Sequence, residues 1–425
     1  MFEPLFDRIP QWPKLPPPRP DGSRRRRPSA LAEGRRELQS TARGDLAQVV
    51  IVLPSHFFVA WNDEAQRVAL LSSYAKLLAT LPESCEVVAV LDASNPARLI
   101  LAQQFLTTHR PSGAKLMPLP LALGPTQWVR DPFCTVLLSG TPQLVEPAEF
   151  IKERPTDWGL ADLLGPALGL VVEQGDNIFA GGNVLAGKDH VFVGADSADR
   201  IVRMMGESEE GAVTRAFTEL EKNGSRTPIV VGTKTQVPNE TKPPILQSDR
   251  TKHIYHVGNE SSRQPIFHID MFMTLAVRSD DTDVVVLGRP ALAREHMPDA
   301  WPIDAELDKE LQEIATTLRA QGIDVLEIPM PIFGVREAKM LIAFYYAPYS
   351  NALVETGSSR RVWLPQFSST WAAVQTIDDI VAATWRDELG YEVIPIPGCT
   401  TFASSPGGLH CATHDTLRVP MQSER

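Results

Sequence analysis

Four polar clusters of the chain contain residue types that could do chemistry, and each lies where a strand-like segment meets a loop. They are QWVRDPF (residues 127–133), FAGGNV (179–184), FHIDMF (267–272) and GGLHCATH (407–414). Scaffolds commonly place catalytic groups in loops at the ends of strands. The four clusters are therefore candidate locations of catalytic groups.

The last cluster presents Cys411 between His410 and His414, and three interpretations of this cysteine compete. A metal site would use all three side chains, but their spacing matches no standard zinc pattern and no second cysteine pair accompanies them. An inert buried thiol is the general default for a cysteine. A nucleophile is favoured by the preceding glycines, which allow close approach of backbone and substrate, and by histidine and carboxylates elsewhere that could activate a thiolate.

The cluster FHIDMF has the patterning of a strand, which would point His268 and Asp270 to the same face. A lone histidine in an apolar strand is usually a core residue with a satisfied hydrogen bond. A buried carboxylate two residues away needs a charge partner, however, and a substrate cation is one candidate. In QWVRDPF the same problem arises for Asp131, for which the alternatives are an ion pair with Arg130 or a turn cap before Pro132.

Composition limits the classes of protein to which the chain could belong. The 425 residues are 43% hydrophobic, which suits a globular protein, and the formal net charge is −11. An acidic surface weighs against nucleic-acid and anionic-membrane partners and suits a cationic substrate. The four cysteines form no CxxC pair, and neither an apolar leader nor a membrane-spanning run is visible. The sequence therefore predicts a soluble cytoplasmic protein.

Two regions differ in composition. Residues 1–46 are rich in proline and arginine, including four consecutive arginines at 24–27, and are predicted to form a flexible N-terminal arm. The arm could bind an acidic partner, wrap a neighbouring subunit of a homo-oligomer or remain a solvated charge run. Residues 47–425 are predicted to form a single catalytic domain.

Within that domain, strands alternate with helices as α/β layers require. The segment after residue 48 predicts a buried strand followed by a helix capped by Asn62 or Asp63, and similar successions recur along the chain. Such repeated units, with little sequence identity between them, favour a closed or propeller-like α/β domain.

In their order and separation, the motifs resemble those of the penteins, the guanidino-group-modifying enzymes that include arginine, agmatine and peptidylarginine deiminases and amidinotransferases. WVRDPF is similar to their Asp-bearing first motif, AGGN to their Glu-Gly-Gly-Asn segment, FHID to their His-x-Asp motif and GGLHCATH to their C-terminal nucleophile loop. The stretch at residues 345–367 also resembles agmatine deiminases. The resemblance covers roughly residue 48 to the end and implies a five-unit α/β propeller.

The resemblance also implies roles for individual residues. Cys411 would attack the guanidinium carbon, His268 would move protons, and Asp131 and Asp270 would hold the guanidinium nitrogens. Candidate supporting residues are Arg130, Asn183 and Gly408. No metal or other cofactor is expected, and the expected partner is a small-molecule or peptidyl guanidino substrate.

One departure from the family pattern concerns substrate choice. Ala180 stands where arginine and agmatine deiminases have a glutamate that contacts the guanidinium; peptidylarginine deiminases also lack it. Glu173 or Asp176 could substitute for the missing glutamate.

The leading hypothesis is a cysteine-dependent deiminase that releases ammonia through a covalent thiouronium intermediate. The alternatives are an amidinotransferase that uses the same adduct, and a catalytically silent binding protein that keeps the fold.

Overall fold

One arrangement of strands recurs through the structure, a computed structural model of the chain: an antiparallel pair, then a helical crossover to a third strand that runs parallel to the second. The structure describes residues 35–61, 63–92, 95–119, 125–147, 157, 159–174, 180–206, 208, 211, 213–214, 220–222, 224–233, 237–238, 245–247, 261–297, 305–338, 341–405 and 407–420. Within these residues, five sheets share this arrangement.

The first sheet joins the two ends of the described chain. Its antiparallel pair consists of Thr413–Val419 and Asp45–Leu53, and its parallel strands are Glu86–Asp92 and Ala114–Leu119. The crossover helices are Glu64–Thr80 and Pro96–His109. The C-terminal strand that follows Cys411 is thereby fixed to the N-terminal strand, which accounts for the placement of the GGLHCATH loop.

The other four sheets follow in chain order. The second contains Cys134–Leu138, Thr141–Glu146 and Val171–Gln174, with Arg36–Leu38 added at its edge; the third contains Val184–Ala186, His190–Gly194 and Thr227–Val231; the fourth contains Met273–Val277, Asp283–Arg289 and Asp324–Pro329; the fifth contains Leu353–Thr356, Arg360–Pro365 and Glu392–Ile396. Their crossover helices are Leu160–Leu168, Ala195–Met205, Pro290–Arg294 with Ala305–Ala320, and Gln375–Ala383 with the π-helical turn Thr384–Glu388.

The remaining elements are short or lie between these units. A further sheet contains Ile245–Gln247, Leu341–Tyr346 and Ile332–Ala338, and a two-stranded ladder joins Val237–Pro238 to Ser261–Ser262. The other helical turns are Ser55–Phe58, Gly181–Asn183, Ile269–Met271, Ala372–Val374 and Thr400–Ala403. None of the helices in the described ranges is both long enough and apolar enough to cross a membrane.

The strand Asp45–Leu53 is buried on both faces, as its β-branched run VVIV predicts. Val49 and Ile51 belong to the largest hydrophobic cluster, whereas Val50 and Val52 belong to a separate cluster. Successive side chains of a strand point to opposite faces, so this strand separates two cores. The helix that follows begins at Glu64, where Asp63 accepts a hydrogen bond from the Gln66 amide at 3.1 Å, as predicted; Asn62 lies outside the described residues.

Each of the five sheets is preceded by a tight turn immediately before its first strand. The turns are closed by bonds from an amide to the carbonyl three residues earlier: Asp131 to Trp128 (3.4 Å), Asn183 to Ala180 (2.9 Å), Met271 to His268 (3.1 Å), Asn351 to Pro348 (2.9 Å) and Thr413 to His410 (3.2 Å). All four sequence clusters therefore occupy equivalent positions in the repeated unit. The fifth equivalent position is the turn that contains Asn351.

Two sequence-based expectations need comment. FHIDMF does not form the predicted strand. Ile269–Met271 form a 3-10 turn, and the strand begins only at Met273. Within the arm predicted at residues 1–46, the described part begins at residue 35 and already includes the strand Arg36–Leu38, paired with Cys134–Leu138. The four arginines at 24–27 lie outside the described residues.

Candidate active site

Cys411 lies in the turn before the C-terminal strand, with its side chain only 4% exposed. Its Sγ accepts a hydrogen bond from Asn351 Nδ2 at 3.1 Å and donates one to Asp270 Oδ2 at 3.4 Å. Met271 Sδ lies 3.9 Å from Sγ. The thiol is therefore held between an amide donor and a carboxylate acceptor.

Asp270 contacts two side chains of the GGLHCATH loop. Its Oδ2 accepts from His410 Nδ1 at 2.9 Å in addition to the thiol. Because a carboxylate only accepts hydrogen bonds, His410 carries its proton on Nδ1. The second carboxylate oxygen, Oδ1, is buried and has no hydrogen-bond partner among the described residues. Asp270 thus retains an acceptor inside the protein that a ligand could use.

His268 pairs with Asp131 on the neighbouring turn. Its Nδ1 lies 3.2 Å from Asp131 Oδ1, and its ring stacks on Phe267 with centroids 3.9 Å apart. Burial alone would lower the pKa of His268, but the carboxylates of Asp131 and, more weakly, Asp270 outweigh it and raise the pKa. A raised pKa favours the protonated imidazolium, which can act as an acid.

Gly182 marks the point at which these groups converge. A Cβ atom placed on Gly182 would lie 2.9 Å from Asp131 Oδ1, 2.9 Å from His268 Nδ1 and 3.1 Å from Asp270 Oδ2. A side chain at this position would crowd all three polar groups, so the Gly-Gly pair of the AGGN motif keeps that space open. Three of the four predicted catalytic and binding residues, Asp131, His268 and Asp270, therefore lie next to Gly182. The fourth, Cys411, is hydrogen-bonded to Asp270.

Asn183 anchors the turn that carries His268 and Asp270. Its Oδ1 accepts from the Ile269 amide at 3.1 Å and from Gln264 Nε2 at 2.9 Å. Its Nδ2 donates to Asp196 Oδ1 at 2.5 Å and to Ser197 Oγ at 2.7 Å. The supporting role expected of Asn183 therefore has a physical basis, because both ends of its amide connect the GGN turn to its neighbours.

Arg130 forms a buried ion pair with Asp415. Its guanidinium donates to Asp415 Oδ1 at 2.6 Å and to the Thr413 carbonyl at 2.9 Å, and its backbone amide donates to the Cys411 carbonyl at 3.2 Å. Arg418 donates to the other oxygen of Asp415 at 2.6 Å. Arg130 consequently connects the Asp131 turn to the GGLHCATH loop and to the strand that follows it.

The flanking histidines behave differently from each other. Burial, and after it the nearby Arg130, lowers the pKa of His410, although Asp270 acts in the opposite direction. His414 is buried, with Nε2 3.0 Å from Thr135 Oγ1 and its ring against Phe133. No group of three His, Cys, Asp or Glu side chains in the described ranges is arranged to hold a metal ion.

The two proposed substitutes for the missing glutamate have different outcomes. Glu173 forms an ion pair with Arg36, with Arg36 Nη2 to Glu173 Oε2 at 2.5 Å. Asp176 lies outside the described residues. Ala180 immediately precedes the GGN turn and carries no charge of its own. The carboxylates brought together at the Gly182 point are therefore Asp131 and Asp270.

Electrostatics keep the unligated thiol protonated. Burial, followed by the carboxylates of Asp270 and Asp131, raises the pKa of Cys411 well above its ordinary value. A cation bound to Asp270 would neutralise part of this field and favour the thiolate. The arrangement therefore couples activation of the thiol to the arrival of a positively charged group.

Asn351 is the site residue that the sequence did not single out. It lies in the turn before the fifth sheet, is fully buried, and contacts Cys411 through both ends of its amide. The available signal was positional: the other four equivalent turns all carry a recognisable polar motif. Gly408 is packed against this residue, because a Cβ at Gly408 would lie 2.5 Å from Asn351 Oδ1.

Comparison with known proteins gives structural matches only. No protein-family model matches the chain, and no curated protein matches it in sequence. Agmatine deiminase from C. jejuni with substrate bound superimposes with a TM-score of 0.61 at 13% identity, over 91% of this chain and 97% of that one. A putative peptidyl-arginine deiminase superimposes with a TM-score of 0.59 at 14% identity, over 91% and 98%. These likenesses establish the fold.

Proposed function

We propose that this chain, which has the fold of the pentein superfamily, is a cysteine-dependent deiminase that hydrolyses a guanidino group and releases ammonia. The observation that carries the proposal is the convergence on Gly182 of Asp131, His268 and Asp270, with the Cys411 thiol hydrogen-bonded to Asp270. We further propose that the five units close into a ring around this site, as in a propeller.

A planar cation suits this site better than a neutral ligand does. The Asp270 Oδ1 atom is buried without a partner in the described part of the chain, and leaving such an acceptor unsatisfied costs roughly 1–3 kcal/mol. A guanidinium presents several N–H groups in one plane and pairs with carboxylates through two parallel hydrogen bonds. In the proposed complex, Asp270 and Asp131 hold the nitrogens and Cys411 faces the central carbon.

The proposed reaction has two halves. As the cation binds, the thiol loses its proton to solvent, and the thiolate adds to the guanidinium carbon to form a C–S bond. His268, protonated in the resting site, donates its proton to the departing nitrogen; the C–N bond breaks and ammonia leaves. Water then adds to the thiouronium carbon as His268 accepts its proton. The C–S bond breaks and the remaining hydroxyl proton passes to the departing sulfur, which releases the neutral ureido product and regenerates the thiol.

The substrate proposed is arginine or an arginine derivative. Two carboxylates in place of three reduce the attraction for a free guanidinium, because a hydrogen bond to a charged group contributes ~1.5–3 kcal/mol. Contacts from the rest of the substrate would then matter more, which favours a peptidyl or otherwise extended arginine.

We place the protein in the cytoplasm, since all four cysteines are unpaired thiols.

The test is a panel of arginine, agmatine, peptidyl-arginine and methylated arginines, with ammonia and ureido product both quantified. We expect ammonia release without any added amine from at least one member, and its loss by a factor of ~10⁴ or more in Cys411→Ala. Cys399→Ala is the matched control, because Cys399 is also buried and its thiol donates to the Ile396 carbonyl at 3.3 Å. A strict need for an amine acceptor would instead identify an amidinotransferase.

A further inference from the structure

We propose that Asn351 is a catalytic residue whose side-chain amide donates a hydrogen bond to the Cys411 thiolate and stabilises it. This inference rests on the proposed function, because it assigns a role in the same nucleophilic step. The direct observation is the 3.1 Å separation between Asn351 Nδ2 and Cys411 Sγ. Asn351 also occupies the turn equivalent to the turns that carry the other site residues.

The orientation of the Asn351 amide is fixed by its partners. The Cys411 backbone amide can only donate, and it lies 3.1 Å from Oδ1 of Asn351. The Asp270 carbonyl can only accept, and it lies 3.0 Å from Nδ2. Flipping the amide would oppose like groups at both contacts. The NH₂ group therefore faces the sulfur.

Backbone contacts hold this donor in place. The Asn351 carbonyl accepts from the His410 amide at 3.1 Å, and its own amide closes the turn to Pro348 at 2.9 Å. Together with the side-chain bonds, these contacts join Asn351 to both residues of the His410–Cys411 pair. A donor so fixed needs no rearrangement when charge develops on sulfur, which is the condition for effective electrostatic stabilisation.

A neutral donor is well matched to the surrounding charges. Asp270 and Asp131 disfavour a thiolate, so a hydrogen-bond donor at the sulfur offsets part of their effect. A lysine or arginine at this position would stabilise the thiolate more strongly, but it would repel the cationic substrate and compete with it for Asp270. An amide supplies N–H without a net charge, so it stabilises the anion and leaves the carboxylates to the substrate.

The test uses 2-chloroacetamidine, a small cation that alkylates a thiolate: the C–S bond forms, the C–Cl bond breaks and chloride leaves. Rates are measured as kinact and KI on the full chain, with peptide mass mapping to separate Cys411 from Cys85, Cys134 and Cys399. Burial raises the pKa of each of those three thiols to about 12, which makes them internal references.

The informative comparison is between Asn351→Ala and Asn351→Asp. Loss of the donor is expected to lower kinact by ~3- to 10-fold at fixed pH, allowing for the greater intrinsic reactivity of a more basic thiolate. Aspartate keeps the size and the acceptor for the Cys411 amide but turns an oxygen towards sulfur. A donor role therefore predicts that kinact is highest for the wild type, lower for Asn351→Ala and lowest for Asn351→Asp. The deficit of the Asp variant should grow as pH rises and its carboxyl ionises.

A purely structural role reverses the order of the two variants, so that Asn351→Asp is faster than Asn351→Ala, because aspartate preserves the shape and the bond to the Cys411 amide. An Asp variant as fast as wild type, or faster than the Ala variant, overturns the proposal. Ser350→Ala is the matched control: Ser350 donates to the Met271 carbonyl from the same turn at 3.2 Å, and kinact should be unchanged. Failure of the wild type to label Cys411 preferentially would instead defeat the proposed function itself.

Discussion

Asp270 and Asp415 are both buried carboxylates beside the loop that carries Cys411, but their partners differ in kind. Asp415 accepts from two guanidinium groups, Arg130 and Arg418, each at 2.6 Å, and also from the Gln39 side chain at 3.2 Å. Asp270 accepts from His410 and the thiol at one oxygen, while its other oxygen has no partner within the described residues.

This difference separates a structural carboxylate from one suited to a ligand. Burying a charge is expensive unless it is paired and hydrogen-bonded, and Asp415 is paired with cations from its own chain. Arg418 and Arg130 lower the pKa of Asp415 well below its usual range despite burial. Among the described residues Asp270 has no arginine or lysine partner. The proposed substrate would supply to Asp270 the same chemical group that arginines supply to Asp415.

The largest expected effect comes from removing the charge of Asp270. Asp270→Asn should lower kcat/KM for the guanidino substrate by ~10²–10³-fold or more, because a preorganised electrostatic partner of the reacting group is lost. Thermal stability should stay within about 1 kcal/mol of wild type or rise, since the charge is incompletely paired in the free protein. Asp324→Asn, which removes a carboxylate paired with Arg278 at the surface, is the matched control for activity. A large loss of stability in Asp270→Asn would mean that Asp270, like Asp415, is a structural carboxylate.

The converse result is expected for Asp415. Asp415→Asn leaves two buried guanidinium groups short of a counter-charge, so unfolding free energy should fall by ~3–5 kcal/mol. The pH dependence gives a second measurement. Because the folded pKa is lowered, the contribution of Asp415 is fully present above the unfolded pKa of ~3.9 and is lost as pH falls below it. The unfolding free energy, measured by denaturant melts from pH 6 to 3, should therefore fall less steeply with decreasing pH in the variant than in the wild type. Equal slopes for the two proteins would contradict this assignment.

Much of the site followed from residue types and their order. The motifs predicted Cys411, His268, Asp131 and Asp270 as a group, and the structure brings the last three around Gly182. The reason given for His268 and Asp270 was wrong, because a 3-10 turn and not a strand places them there. Strand periodicity could not distinguish these cases, since apolar residues such as Ile269 and Met271 are buried in the turn as well.

The contacts that the sequence could not supply join distant segments. Arg130 and Asp415 are 285 positions apart, and nothing in the local sequence of either residue selects the other. They meet because the C-terminal strand pairs with Asp45–Leu53 and returns the chain to the Asp131 turn. Asn351 was missed for a related reason: the resemblance of residues 345–367 to agmatine deiminases did not single out this residue, whereas the equivalence of the five turns does.

The smallest effect is expected at Glu173, a third acidic residue that tests the comparison. It forms an ion pair with Arg36, and Arg36 is largely buried while Glu173 is about a quarter exposed. By analogy with Asp415, this pairing makes it structural and not a substitute for the glutamate replaced by Ala180. Glu173→Gln should leave kcat/KM unchanged within ~2-fold and lower stability by about 1 kcal/mol or less, because a partly exposed pair is screened by solvent. A tenfold rise in KM for the guanidino substrate, with stability unchanged, would mean that Glu173 reaches the substrate. Pairing with an arginine would then not be enough to identify a carboxylate as structural.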